Sequence, residues 1–287
     1  MGDGHSRSLA GGWVSSRHVL PVDAVGIDAG MTMTKIAAAT PGGTAFEAHE
    51  TRAHADPGRG STERLRIGVT GALYATVDRL GAVVVQEIDA AVRGAITLLE
   101  SEGRSGSGGF VLALLGTGTA FAAVRDGNVA HLGGTPMGGG SFAGIARRVD
   151  PSLSYDAMIA GAERGDRHRV DVMISDIYPE GIGRIGPDRT AAHLSRAHGS
   201  LDDFLAGLLN LHGENIAQIA SSRAVIAKIP RLVLAGGFAH NNPRLIASIT
   251  SMAGLFGIAV DVAPSPGFAG AVGAGLIAAE APAQAIE

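Results

Sequence analysis

The chain has 287 residues, 46% of them apolar and 17% charged, which is long enough to bury a sizeable core and too apolar for a disordered chain. A formal net charge of −4 supplies no basic face for nucleic acid, and zero cysteines excludes disulfides and cysteine-ligated zinc. No apolar run reaches the roughly 18 residues of a membrane span, so a reducing, cytoplasmic setting with no membrane contact is expected.

Residues 1–22 lack the apolar h-region of a secretory signal and are expected to form a flexible tail. Met1-Gly2-Asp3-Gly4-His5-Ser6 matches the permissive myristoylation pattern only literally. Val22–Ile27 reads as a buried strand, Lys35–Thr40 as its hairpin partner and Gly42–Glu50 as a third strand at the edge. Arg66–Thr70 and Val83–Gln86 are further strands, and a helix is predicted from about Ile88 to Glu102. Phe110–Leu115, Ala120–Arg125 and a strand after Asp126-Gly127 then repeat the opening module. Helix follows over 139–162, broken near Pro151; a polar loop with short helical pieces covers 163–200. His193 and His198 are expected on its surface. Leu201–Ala227 carries apolar residues at helical spacing, and Arg231–Ala235 is a buried strand. A helix capped by Asn242 starts at Pro243, Ile258–Val262 is the last strand, and Gly267–Glu280 a small-residue helix.

Strand, Gly/Thr turn, strand, turn, strand, written twice, is the layout of the actin-like ATPase superfamily. The expected fold is therefore α/β, a duplicated actin-like (ribonuclease H-like) ATPase fold of two lobes with central mixed sheets. The N-terminal lobe is expected over 23–105 and the C-terminal lobe over 106–287.

The two turns carry the first candidate chemistry. Asp28 ends a buried strand just before Gly30-Met31-Thr32, where a carboxylate can hold Mg²⁺ directly or through water while turn amides face phosphate. Lys35 on the returning strand adds positive charge; a plain hairpin with a capping Asp is the alternative. Gly116-Thr117-Gly118-Thr119 is the second turn, and its presence favours the phosphate reading. Gly133–Ser141 is dense in glycine and precedes a helix, so its free amides are candidates for phosphate or ribose; a flexible loop is the alternative. Ala235-Gly236-Gly237-Phe238 offers bare backbone against which adenine can pack. Glu87 and Asp89 flank Ile88 where a strand enters a helix. A carboxylate there can accept the proton of a hydroxyl attacking a γ-phosphoryl group. An acid that simply favours the helix dipole suits Asp89 better.

Several of these segments resemble type II pantothenate kinases, the eukaryotic and staphylococcal kind. Asp28-Ala29-Gly30-Met31-Thr32-Met33-Thr34-Lys35 is similar to that family's Asp-Ala-Gly-Gly-Thr-Leu-x-Lys, and Glu87-Ile88-Asp89-Ala90-Ala91 to its Glu-Phe-Asp-Ala-Ala. Gly116–Thr119, Gly138–Gly144, Gly165-Asp166 with Asp171 and Asp176-Ile177-Tyr178, Phe238–Asn242 and Gly267–Ala274 follow in the family's order. The resemblance implies ATP-dependent phosphorylation of a primary hydroxyl in coenzyme A biosynthesis, pantothenate to 4′-phosphopantothenate. ATP and Mg²⁺ would be met by Asp28, Ala29, Gly30, Met31, Thr32, Met33, Thr34, Lys35, Thr117, Gly139, Gly140, Ser141, Phe142, Ala143, Tyr155 and Gly237. Glu87 would be the general base, and Ala120, His131 and Tyr178 would stand at the acceptor. A homodimer through Leu201–Ala220 and regulation by CoA or acyl-CoA are also implied.

Three positions depart from the pattern. Met31 replaces a glycine, which costs about 1 kcal/mol or more if φ is positive and sets a side chain near the phosphates. Ala120 replaces a serine and His131 an arginine that help hold pantothenate; neutral histidine cannot reproduce arginine's bidentate grip on a carboxylate. A kinase of the same fold for another alcohol, or a catalytically weak nucleotide- or CoA-binding regulator, are the alternatives these departures raise.

Overall fold

The computed structural model describes residues 13–15, 17–50, 65–76, 82–106 and 108–282. The myristoylation-like hexapeptide lies outside them. Strands β1 (Trp13–Ser15), β2 (Ala24–Ala29), β3 (Met33–Thr40), β4 (Gly43–Glu50), β5 (Arg66–Thr70) and β6 (Val83–Val84) form one sheet in the order β1-β4-β3-β2-β5-β6. Helix α1 (Glu87–Ser101) leads to a second sheet of β7 (Phe110–Leu115), β8 (Thr119–Arg125), β9 (Asn128–Thr135), β12 (Arg231–Ala235) and β13 (Ala259–Val262), ordered β13-β12-β7-β8-β9. In both, two strands run antiparallel beside the first and two lie parallel on its other side. The duplication legible in the sequence is thus a duplication of sheet topology.

β1 is the addition. It pairs antiparallel with β4, so β4 is not an edge strand, and Val19 and Leu20 are buried in the core. Trp13–Ser15, Val19 and Leu20, within the stretch expected to be a tail, are thus built into the fold.

One face of the second sheet is covered by α2 (Gly139–Val149), α3 (Tyr155–Arg164), α4 (Leu201–Ala227) and α5 (Pro243–Gly254), which bury Phe121, Phe142, Leu205, Leu209, Ile216 and Phe238. Each such side chain contributes about 1.5–3 kcal/mol relative to exposure. α4 starts on a reciprocal cap: the Asp203 amide donates to Ser200 Oγ (3.2 Å) and the Ser200 amide to Asp203 Oδ2 (2.9 Å). α5 starts as its sequence predicts, with Asn242 accepting from the Leu245 amide and Pro243 at the first position. The segment between α3 and α4 is more ordered than a polar loop. It holds two short 3₁₀ turns and a ribbon of β10 (Val172–Met173) and β11 (Thr190–Ala192).

The other face of the second sheet meets α1, whose Ala91, Val92, Ala95, Leu98 and Leu99 pack with Phe110, Leu112, Ala122 and Val124. The last helix, α6 (Ala269–Glu280), returns to the first sheet and to α1. Here the chain's many glycines find a use beyond turns. A β-carbon at Gly26, Gly68 or Gly94 would overlap the carbonyls of Ala271, Ala274 or Ala269, and one at Gly273 the carbonyl of Ala90. Each half thus lends the other a helix.

Candidate active site

The β2–β3 hairpin sets Asp28 directly across from Lys35, and Lys35 Nζ donates to Asp28 Oδ2 at 3.1 Å with both side chains largely shielded. The Gly30 amide closes the turn onto the Met33 carbonyl at 3.2 Å. Met31 does not adopt a left-handed backbone, and its side chain is 60% exposed. The strain expected at this position is absent. Ala29 and Thr34 are buried register partners, so their side chains build the hairpin rather than face a ligand, while Met33 packs partly into the core. Thr32 is exposed at the tip.

Glycines from two other elements crowd the Asp28 carboxylate. A β-carbon at Gly71 would stand 2.7 Å from Oδ1, and one at Gly270 3.1 Å from Oδ2. The carboxylate sits in a slot that larger residues would fill. A hard oxygen ligand in such a slot fits Mg²⁺. Among the described residues no group of three or more His, Cys, Asp or Glu could hold a metal ion.

The second hairpin meets the first: Thr117 Oγ1 lies 3.4 Å from Thr32 Oγ1. Its turn is clamped from behind. The Gly139 amide donates to the Gly116 carbonyl (2.8 Å) and the Gly140 amide to the Thr117 carbonyl (2.9 Å). These two amides, expected to be free for phosphate, are already used, because the start of α2 lies directly against the turn. Ser141 Oγ accepts from the Gly138 amide at 3.0 Å. Phe142 and Ala143 are buried in the core, and Tyr155 packs edge-on against Phe142 with centroids 6.5 Å apart. Burial, then Asp156, pushes the Tyr155 hydroxyl upward and keeps it neutral.

Glu87 is the first residue of α1 and helps line a cavity of about 190 Å³ with Gly71, Ala72, Tyr74, Val84, Val85 and Gln86. Glu87 is exposed as a residue, yet partial burial raises its pKa, as does the Asp28 charge, while Lys35 acts in the opposite sense. Gly71 borders both the Asp28 slot and the Glu87 cavity. Asp89 is exposed, as suits a helix-dipole residue.

Gly236 takes φ +99°, and a β-carbon there would overlap the Leu115 carbonyl, to which the Phe238 amide donates at 2.9 Å, so only glycine fits. A β-carbon at Gly237 would lie 3.6 Å from Lys35 Cε. The turn expected under adenine thus lies beside Lys35. Ala120 is half-buried opposite Gly134, and His131 is exposed on β9 opposite Ala122. Tyr178 is 46% exposed, held by bonds within its own turn to Ile174 and Gly181.

Three histidine environments went unread in the sequence. His212 is buried within α4, and His240 is buried against Phe268, its pKa lowered by burial and by Lys35. His193 is not a surface residue: Nε2 lies 3.2 Å from Glu214 Oε2 and Nδ1 3.8 Å from Asp171 Oδ2. Only the four-residue spacing from Leu208 to His212 and the position of His240 just after Gly236–Phe238 hinted at any of this.

Comparison with known proteins bears on this geometry. The Fumble family model matches residues 104–276. A type II pantothenate kinase of Staphylococcus haemolyticus is 28% identical over 262 residues, covering 87% of this chain and 98% of its own. That of Oceanobacillus iheyensis is 29% identical, over 66% of this chain and 72% of its own. Among solved structures, (R)-2-hydroxyglutaryl-CoA dehydratase component A of Acidaminococcus fermentans superposes with a TM-score of 0.62 at 16% identity, covering 90% of this chain and 97% of its own. A ROK family glucokinase of Streptomyces griseus, in complex with glucose and AMPPNP, gives 0.58 at 14%, covering 90% and 99%. These two support the actin-like ATPase fold. With the family model spanning more than half of its length, the chain belongs to the Fumble family, that of the type II pantothenate kinases.

Proposed function

We propose that this chain transfers the γ-phosphoryl group of ATP to the primary hydroxyl of pantothenate. One observation supports the reading: Lys35 donates to Asp28 on the hairpin whose Thr32 meets Thr117 of the second turn, and Gly71 borders both the Asp28 carboxylate and the Glu87 cavity. Lys35 would offset phosphate charge, and Thr32 and Thr117 would each present a hydroxyl to it. Asp28 would hold Mg²⁺ through water, and the ion would neutralise charge developing on the transferred group. Glu87 would take the acceptor's proton. Its raised pKa keeps it basic enough to do so, and its cavity leaves room for the alcohol.

A second reading keeps the chemistry and changes the acceptor. Ala120 stands where relatives in the resemblance carry serine, and His131 where they carry arginine. That combination suits an alcohol without a carboxylate. ADP release with Mg-ATP and either pantothenate or pantetheine tests both readings. Turnover with pantothenate supports the first, turnover only with the uncharged alcohol supports the second, and no turnover with any acceptor rejects both.

The proposed enzyme works in the cytoplasm as a homodimer, with CoA or an acyl-CoA as its regulator. Most of Leu201–Ala220 is buried within its own protomer. The proposed interface is the exposed face that begins within this stretch and runs on to the end of α4, where Ile226 is 82% exposed and a groove of about 610 Å³ runs along Asn215, Gln218, Ile219, Ser222 and Arg223.

A further inference from the structure

We propose that His212 is a positioning residue for the nucleotide, acting through Ser141 on the second phosphate turn; this rests on the nucleotide reading above. His212 is 1% exposed, in the middle of α4. Its Nδ1 lies 2.9 Å from the Leu208 carbonyl, which can only accept, so Nδ1 carries the ring hydrogen. Burial lowers its pKa and holds the ring neutral, leaving Nε2 as a bare acceptor. The group facing Nε2 is Ser141 Oγ, at 2.9 Å. Ser141 therefore donates its single hydroxyl proton to His212.

That assignment has a consequence for the loop. A Ser141 hydroxyl pointed instead at the Gly138 carbonyl, 3.1 Å away, would leave Nε2 without a donor. With the proton on His212, the Ser141 oxygen turns its lone pairs to the Gly138 amide at 3.0 Å. Gly138 has no side chain to define its own conformation, and it leads straight into Gly139 and Gly140. Those two residues hold the Gly116 and Thr117 carbonyls, and Thr117 in turn meets Thr32. Hydrogen bonds, joined through the backbone of residues 138–140 and through Thr117 itself, thus link a buried ring to both Thr-bearing turns. The ring itself is wedged edge-on between Phe142 (5.9 Å) and Phe238 (6.1 Å), one from α2 and one from the turn beside Lys35. A leucine would fill the same space; a histidine adds one directed acceptor.

The test is a comparison of His212→Leu, His212→Gln and Ser141→Ala in the full-length protein. Binding of a non-hydrolysable ATP analogue and KM for ATP are measured alongside ring ¹⁵N shifts of His212 in the unaltered protein. Loss of one directed hydrogen bond corresponds to about a five- to tenfold rise in Kd and KM for ATP with a smaller fall in kcat. His212→Leu should show that rise, His212→Gln should recover most of it, and adding His212→Leu to Ser141→Ala should cost nothing further. The ¹⁵N spectrum should show the Nδ1–H tautomer, with the Nε2 resonance moving in Ser141→Ala. Equal affinities for the Leu and Gln variants, additive losses in the double variant, or an Nε2–H tautomer would overturn the inference while leaving nucleotide binding intact. If the Leu variant does not fold, the tautomer and the Ser141→Ala shift decide the matter alone. Absence of analogue binding by the unaltered protein would instead overturn the nucleotide reading and this inference with it.

Discussion

At Glu87 opposing influences set the proton affinity of a single carboxyl. The walls of its cavity and the Asp28 charge raise it, and the Lys35 ammonium pulls it back. A general base must be deprotonated, so kcat/KM is expected to fall on acidification through a pKa above the ordinary glutamate range. Replacing Asp28 by Asn removes a raising influence and should move that acid limb to lower pH; Lys35→Gln should move it higher. A pH–rate series on the three proteins checks both directions, and an unmoved limb would detach Glu87 from the pair. Glu87→Gln should lower kcat by a factor of about 10² or more while analogue binding persists. At Met31, Met31→Gly should change stability little, because the residue is exposed and its backbone is outside the left-handed region. A large shift of its urea midpoint would contradict that.

Between α3 and α4, a buried charge cluster tethers the segment to α4 alongside the apolar Val170, Met173 and Leu194. Burial disfavours a charged His193, yet Asp171 and Glu214 overcome that and raise its pKa to about 9. Arg167 stands on the same cluster, 3.6 Å from Asp171, and donates to Thr190 Oγ1 at 2.8 Å. Glu214 also accepts from Asn210 and Thr190, both at 3.1 Å. A folded pKa above the unfolded value of about 6.5 means the stabilisation is complete below pH 6.5 and disappears as pH rises through 9. The Tm gap between the unaltered protein and His193→Gln should therefore narrow from pH 6 to pH 9.5, and a constant gap would refute the ionic tether. This element was illegible in the sequence because its partners sit at 167, 171, 193 and 214, brought together only by the β10–β11 ribbon folding onto α4. The cap of α5 was legible, since Asn242, Pro243 and Leu245 are neighbours in the chain; Asn242→Ala should cost about 1 kcal/mol in a urea titration.

Across the whole molecule, α1 and α6 cross between the halves and pack backbone to backbone at Gly94 and Gly273. Neither contact can yield, because the opposing atoms are main-chain carbonyls. Gly273→Ala is expected to destabilise by about 3 kcal/mol through overpacking, read as a lowered urea midpoint. Exposed Gly254, where a β-carbon meets nothing, serves as the control. The same packing brings Gly270, at the start of α6, against Asp28, so closing the helix pair also shapes the Asp28 slot. At the far end of α4, Ile226→Asp should dissociate the proposed dimer in light-scattering measurements; an unchanged mass would reject that interface.

Local order in the chain was sufficient for the two hairpins, the long helix, the cap of α5 and the acid at the head of α1, because each is specified by residues within a few positions of one another. Periodicity and turn chemistry act over that range. Three-dimensional packing alone decided that Gly139 and Gly140 spend their amides on Gly116 and Thr117, that Met31 is unstrained, and that the last helix returns to the first sheet. Each depends on which distant backbone arrives alongside, and the sequence contains no record of that separation. The buried histidines belong to the same class, since a titratable ring takes its tautomer and charge from whatever closes around it.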